Sequence, residues 1–230
     1  MCGDSTDFGQ VTDLLNGENI DMVYTDPPYG ISIVQGKNVG GSKSFGSVGG
    51  GKIVKVNQYS PVIGDETIDT AVNVYKICVE LDIPKLLFWG GNYYASELPS
   101  SSCWVVWDKN NTGNFADCEL AWTNQKKAAK LYKQTWNGMI REGESEKRVH
   151  PTQKPIGLAV FCMSELVADK VLDLFLGSGS TLIACEQTDR TCYGMELDPK
   201  YVDVIRKRYA KYTNPDTWET EWETLTPPVG

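Results

Sequence analysis

Short apolar runs of strand length recur along the 230-residue chain, separated by longer stretches with helical spacing. Ile20 to Thr25, Lys85 to Trp89, Cys103 to Trp107, Cys118 to Thr123, Val171 to Phe175 and Thr191 to Glu196 read as strands. Helices fit Phe8 to Leu15, where Gly17 ends the pattern, and Glu66 to Leu81, with Ile68, Val72, Tyr75 and Val79 on one face. Further helices fit Tyr93 to Glu97, Gly157 to Val167, Thr181 to Gln187 and Pro199 to Tyr212. This alternation predicts an α/β fold, a doubly wound and mostly parallel sheet with helices on both faces. No internal repeat or second domain shows, so 1–230 reads as one domain. Three segments break the pattern. A basic loop at 34–60 contains the Gly- and Ser-rich stretch Gly36 to Lys52, whose composition predicts flexibility. A short segment at 124–149 is a candidate for target recognition, and 213–230 is an acidic tail.

Composition narrows the function classes. The chain is 41% hydrophobic and 23% charged, as in ordinary globular proteins, and lacks an apolar run of membrane-spanning length. Its N-terminus has no secretory pattern. Seven scattered cysteines, never spaced C-x-x-C, predict reduced thiols and a cytoplasmic location. With a single histidine, no metal site is expected. The net charge of -8 argues against a nucleic-acid partner until its distribution is considered. Lys37, Lys43, Lys52 and Lys55 form a stretch without acids. Lys126, Lys127, Lys130, Lys133, Arg141, Lys147, Arg148 and Lys154 dominate a second stretch. Both flank the motifs below. Lys37, Lys43, Lys52, Lys55, Lys126, Lys127, Lys130 and Arg148 are the candidate phosphate contacts.

Three strings carry candidate chemistry. Asp26-Pro27-Pro28-Tyr29 follows the strand at Met22. Its prolines extend the backbone and donate no N–H, so the Asp26 carboxylate and Pro27 carbonyl can stand together as acceptors beside the Tyr29 ring. Such a set suits a flipped-out base with an exocyclic amino group. A proline-rich turn with a buried tyrosine is the plainer alternative. Asp173-Leu174-Phe175-Leu176-Gly177-Ser178-Gly179-Ser180-Thr181 is a glycine-rich strand-to-helix turn. Leu182 stands where a dinucleotide fingerprint needs glycine, and the P-loop lysine is absent. Glu196 ends the next strand and is placed to accept from a ribose diol, which together suggests an adenosyl ligand without a pyrophosphate. His150-Pro151-Thr152-Gln153-Lys154-Pro155 offers donors on an extended segment, or else is a rigid connector.

In these strings the chain resembles the amino-group DNA methyltransferases that use S-adenosylmethionine. Asp26 to Tyr29 resembles their catalytic motif, Asp173 to Thr181 their cofactor loop, and His150 to Pro155 a string that precedes that loop in one subgroup. Leu174 and Ser180 depart mildly from the loop pattern. The order, catalytic motif first, is that of the permuted β subgroup, whose compact members include phage enzymes. The resemblance implies a Rossmann-like methyltransferase fold. It implies catalytic roles for Asp26, Pro27, Pro28 and Tyr29, with Asp26 and Pro27 accepting from the target amine and Tyr29 stacking on the base. For the cofactor it implies Asp4 near the adenine, and Phe175, Gly177, Ser178, Gly179, Thr181, Asp173 and Glu196 around methionine and ribose. Thr152, Gln153, Lys154 and Pro155 are implied at the methionine end.

An aspartate at the first motif position is more typical of adenine N6 enzymes, so N6 of adenine in DNA is the expected target. N4 of cytosine, an RNA target, a catalytically silent nucleic-acid-binding module and a dinucleotide oxidoreductase remain alternatives. Double-stranded DNA is the expected partner, with a homodimer or separate recognition partner possible on this pattern. Only Met1 and Cys2 precede Gly3-Asp4, so the third strand of the fold is expected to be short, or the chain to be part of a longer protein.

Overall fold

The computed structural model describes residues 1–31, 63–111, 116–136, 141–144 and 148–225. The loop at Gly36 to Lys52, with Lys37, Lys43, Lys52 and Lys55, lies outside the described residues. Seven strands form one sheet: β1 Met22–Thr25, β2 Lys85–Trp89, β3 Trp104–Asp108, β4 Cys118–Thr123, β5 Lys130–Lys133, β6 Lys170–Asp173 and β7 Thr191–Gly194. Their order is β5-β3-β4-β2-β1-β6-β7. β4 runs antiparallel to both its neighbours, while the other pairings are parallel. All strands except β4 therefore end at one edge of the sheet, where β4 begins.

The helices are α1 Phe8–Leu15, α2 Asp69–Glu80, α3 Ile156–Leu166, α4 Ser180–Gln187, α5 Pro199–Thr213 and α6 Trp218–Leu225. Alternate strand residues face opposite cores. Val23, Phe88 and Leu172 pack with Val11 and Leu15 of α1 and with Ala71, Val74 and Cys78 of α2. Met22, Leu87 and Val171 pack with Leu158 and Cys162 of α3 and with Ala184 of α4. Burial on both faces explains why β1 is buried at every position and lacks alternation. The doubly wound, mostly parallel sheet is the expected one.

Four local readings change. The apolar face of α2 is Ala71, Val74, Ile77 and Cys78, whereas Val79 is exposed and Ile68, Val72 and Tyr75 are only partly buried. Small Ala71 and Cys78 let the helix approach the sheet, and the larger β-branched residues flank that contact. The helix expected at Tyr93 to Glu97 is a 3-10 turn, Ala95–Glu97. Within 124–149, β5 joins the sheet beside β3. Its residues, Lys130 to Lys133, alternate between half-buried and exposed, with Leu131 on the exposed face, as suits an edge strand half open to solvent. The acidic tail contains a helix: α6 lays Trp222 under the cations of Arg206 and Lys207 on α5, 4.9 and 4.3 Å from the ring centre.

Beyond β7, the N-terminal segment adds a single parallel bridge, Cys2 to Glu196. Its bonds are Gly3 N–H to the Glu196 carbonyl, 3.0 Å, and Glu196 N–H to the Met1 carbonyl, 3.1 Å. At that edge the segment before Gly3-Asp4 contributes this one bridge. Among the described residues no helix is long and apolar enough to cross a membrane.

Leu172 is fully buried in the strand beside β1. Leu172→Ala should lower unfolding stability by about 2–5 kcal/mol in a denaturant titration, through lost burial and the cavity left behind. A change below about 1 kcal/mol would mean the sheet collapses around the gap.

Candidate active site

The strand ends converge on one pocket. Its wall includes Asp26, Pro27, Pro28 and Tyr29 from β1, Asp173, Phe175, Gly177, Ser178 and Thr181 from β6 to α4, Glu196 beyond β7, and Thr152, Gln153 and Lys154 before α3. Three strings far apart in sequence thus share one cavity, because parallel strands deliver their carboxyl ends to one edge. Asp4, Pro155 and Gly179 do not line it. The exposed Asp4 carboxylate accepts from the Thr6 N–H and hydroxyl at 2.8 and 2.7 Å. Pro155 caps α3, and Gly179 caps α4 with φ +80, its open side against Ile205.

The turn after β1 is held from outside the motif. The buried Asp65 carboxylate accepts from the N–H groups of Gly30, 3.0 Å, and Ile31, 3.3 Å. Gly30 has φ +78. The Tyr29 ring lies against Gly90, where a Cβ would come within 2.4 Å of it. Tyr93 stacks on the ring with centroids 4.7 Å apart and planes 10° apart.

Asp173 ties the catalytic turn to the glycine loop. Its buried carboxylate accepts from Thr25 at 2.9 Å, the Phe175 N–H at 3.1 Å and the Thr181 hydroxyl at 2.6 Å. Burial raises its pKa to about 6 against these hydrogen bonds. Arg208 of α5 donates to the Ser178 carbonyl at 2.5 Å and fixes the loop from behind. Glu196 accepts from the N–H groups of Gly177, 2.8 Å, and Asp198, 3.0 Å, which orients its carboxylate at the pocket wall.

His150 is buried, packs edge-on against Tyr201 with centroids 4.3 Å apart, and stands beside Gly177. Burial, with the charges of Arg148 and Lys154, lowers its pKa to about 3, so the ring is neutral near pH 7. Its Nδ1 accepts from the Thr152 N–H at 3.2 Å, which puts the ring proton on Nε2. The histidine is therefore part of the pocket wall as well as a connector.

Lys154 lines the pocket, but its ammonium is committed to two carboxylates rather than to a methionine end. It lies 2.5 Å from Asp26 Oδ2 and 3.2 Å from Glu119 Oε2. Glu119 also pairs with Lys109. Burial favours the neutral amine, yet Asp26 and Glu119 outweigh it and hold Lys154 above the ordinary lysine range. Burial likewise raises Asp26, with Lys154 opposing. For Glu119, burial is outweighed by Lys154 and Lys109, which draw it down to about 2. Asp26 Oδ1 and the Tyr24 hydroxyl are buried without a hydrogen-bond partner among the described residues. A buried carboxylate oxygen without a partner, on a residue that lines a pocket, marks a place for a donor.

Sequence reasoning missed Asp65 and Glu119. Each is a lone residue in an ordinary run, and only the fold brings it to the site. Tyr201, which closes the Glu196 to Tyr201 string that resembles the family's ribose-binding strand end, lines the pocket. The basic candidates divide differently from the expectation. Lys126, Lys127 and Lys130 follow the end of β4, at the edge of the sheet opposite the pocket. Lys127 donates to the Glu165 carbonyl at 3.2 Å and Lys130 pairs with the Glu165 carboxylate at 2.8 Å, so both brace α3. They were expected near the site because they are near its motifs in sequence, but antiparallel β4 carries the chain away. Arg148, by contrast, does not line the pocket but adjoins it, donating to the carbonyl of the lining residue His150 at 2.9 Å. Among the described residues no cluster of His, Cys, Asp or Glu is suited to a metal.

Two tests follow from this geometry. Gly90→Ala places a methyl group against the Tyr29 ring at φ +69. It should cost about 1–2 kcal/mol of stability from the left-handed backbone, plus any cost of moving the ring, as measured by denaturant unfolding. An unchanged midpoint would refute that packing. Folded Asp173 holds its proton more tightly than an ordinary aspartate near 3.9, so this contribution is fully present in acid and is lost as pH rises through about 6. The stability of Asp173→Asn relative to wild type should therefore improve, by up to about 3 kcal/mol, between about pH 4 and about pH 7. A flat difference across that range would contradict it.

Comparison with known proteins agrees with this architecture. Residues 91–207, more than half of the chain, match the N6/N4 methyltransferase family described as DNA methylase. The Type II methyltransferase M2.MboI of Moraxella bovis is 26% identical over 226 residues, spanning 85% of this chain and 82% of the relative. M2.DpnII of Streptococcus pneumoniae is 25% identical, spanning 83% of this chain and 82% of its own. The M1.HpyAVI–SAM complex superimposes with a TM-score of 0.51 at 20% identity, covering 90% of this chain and 98% of that one. The cytosine-N4-specific PvuII DNA methyltransferase gives 0.54 at 15% identity, over 100% and 86%. At such identities the two structures speak for the fold. The motif order, the shared pocket and the family match together make this chain a member of the N6/N4 DNA methylase family.

Proposed function

We propose that the protein transfers a methyl group from S-adenosylmethionine to the exocyclic N6 of adenine in double-stranded DNA. The observation that carries this reading is the unpartnered Asp26 Oδ1 beside Pro27 and Tyr29, in the same pocket as Glu196 and the Gly177 loop. The pocket suits the donor. Glu196 presents a carboxylate for a ribose diol, Gly177 admits close approach of the ligand to the backbone, and Phe175 adds an aromatic surface. When bound, S-adenosylmethionine supplies an electrophilic methyl group on a sulfonium.

The remaining chemistry belongs to the chain. The lone pair of an adenine amine is conjugated into the ring, which makes the nitrogen a poor nucleophile. Accepting one amino hydrogen at Asp26 Oδ1 and the other at the Pro27 carbonyl favours a pyramidal nitrogen with a localised lone pair. Tyr29 offers the stacking surface that orients an extruded base. Positioning and preorganised acceptors do most of the work, and Asp26 need not be a strong base. The nitrogen gains the methyl as the sulfur–carbon bond breaks to leave a neutral thioether, and only then, strongly acidic, does it give its proton to solvent. Arg148, next to the pocket residue His150, is a candidate phosphate contact, and the lysines of the 34–60 loop are further candidates.

Incubation with S-adenosylmethionine and mixed-sequence duplex DNA, followed by digestion and mass spectrometry, should yield N6-methyladenine. N4-methylcytosine in its place would shift the target to cytosine. Asp26→Ala should lower turnover by at least about 100-fold while cofactor affinity changes by less than about threefold. Full turnover in that variant would overturn the mechanism.

A further inference from the structure

Glu119 stands near the start of β4, paired across the ladder with Trp107. Because β4 is antiparallel, its start lies at the edge where β1 ends. Glu119 does not line the pocket, yet each of its oxygens meets an ammonium: Lys109 on Oε1, and Lys154 on Oε2 at 3.2 Å. Lys154 goes on to Asp26 Oδ2 at 2.5 Å and lies 5.3 Å from the centre of the Trp89 ring. The series Lys109, Glu119, Lys154, Asp26 thus alternates in sign and ends at an oxygen atom next to the orphaned Oδ1.

A lysine ammonium on a flexible four-carbon stem needs more than one acceptor to stay in place. With Asp26 as its sole partner, Lys154 could swing between both oxygens and would close the acceptor off as a neutral pair. A second carboxylate behind it draws the ammonium to one side. We propose that Glu119 is a positioning residue for methyl transfer, holding Lys154 on Asp26 Oδ2 so that Oδ1 is left unpaired for the substrate amine. The inference rests on the amino-group chemistry proposed above.

A merely structural ion pair would affect stability and leave the chemistry alone. The pH dependence of turnover separates the two. The groups acting on Asp26 are Lys154 before α3, Glu119 on β4, Lys109 after β3, Asp173 at the end of β6, and Tyr24, Tyr29 and Tyr94. Glu119 raises the Asp26 pKa, whereas Lys109 and Lys154 lower it.

The experiment compares wild type, Glu119→Gln and Lys109→Gln for S-adenosylmethionine affinity by calorimetry, and for kcat, KM for duplex DNA and the pH profile of kcat. Glu119→Gln should keep cofactor affinity and KM within about threefold and lose about 10- to 100-fold in kcat. Its acid limb should move to lower pH, because the repelling charge beside Asp26 is gone. Lys109→Gln should move the limb the other way, and it decides the matter if Glu119→Gln fails to fold. Limbs unmoved in the folded variants, or wild-type kcat in Glu119→Gln, would overturn the inference and leave the proposed function standing. A wild-type protein that binds S-adenosylmethionine but methylates no DNA would overturn both.

Discussion

The site depends on one buried carboxylate. Asp173 receives Thr25 from the end of β1, Thr181 from the first turn of α4 and the Phe175 N–H from the loop between. The catalytic turn begins one residue after Thr25, and the glycine loop begins at Asp173 itself. Two halves of a reaction centre, 148 positions apart, are therefore fixed to each other through hydrogen bonds to two oxygen atoms. The cost is a desolvated acid whose pKa is raised to about 6. Three donors make the burial tolerable, and the rigidity they confer is what a reaction governed by positioning needs.

Around that joint the support is graded. Asp65 holds the far side of the catalytic turn, Arg208 the back of the loop, and Glu196 the Gly177 N–H. None of these bonds is long-range in space, yet nearly all are long-range in sequence. That is the consequence of a parallel sheet, in which neighbouring strand ends come from distant parts of the chain.

This also explains what could be read beforehand. The strands at Lys85 to Trp89 and Cys118 to Thr123 and the helix at Phe8 to Leu15 were legible to the residue, because glycine and charge punctuate them sharply. The motif residues were legible because prolines and glycines impose local geometry. β5 escaped notice because an edge strand of four residues, half exposed, has neither a long apolar run nor firm boundaries. Residue Asp65 and residue Glu119 escaped because their importance is created by contact, and a single acid in a polar stretch carries no spacing signal. Lys127 and Lys130 lie at the other edge of the sheet for the converse reason: adjacency in sequence to a motif says little about place where a strand then reverses direction.

The placement of charge bears on which chemistry the pocket can select. Asp26 and Pro27 line its catalytic lip, Asp26 Oδ1 has no partner among the described residues, and the ammonium of Lys154 is occupied by Asp26 Oδ2 and Glu119. A base edge offering a carbonyl would meet acceptors there and lose its hydrogen bonds to water without replacement. An amino group meets the partners it requires. Lys154 lines the same wall, but its charge is spent on Asp26 Oδ2 and Glu119. On the proposed reading, that pairing leaves Asp26 Oδ1 to an amine and makes the site unfavourable to thymine-like and guanine O6-like edges, so the choice of an amine precedes any recognition of DNA sequence.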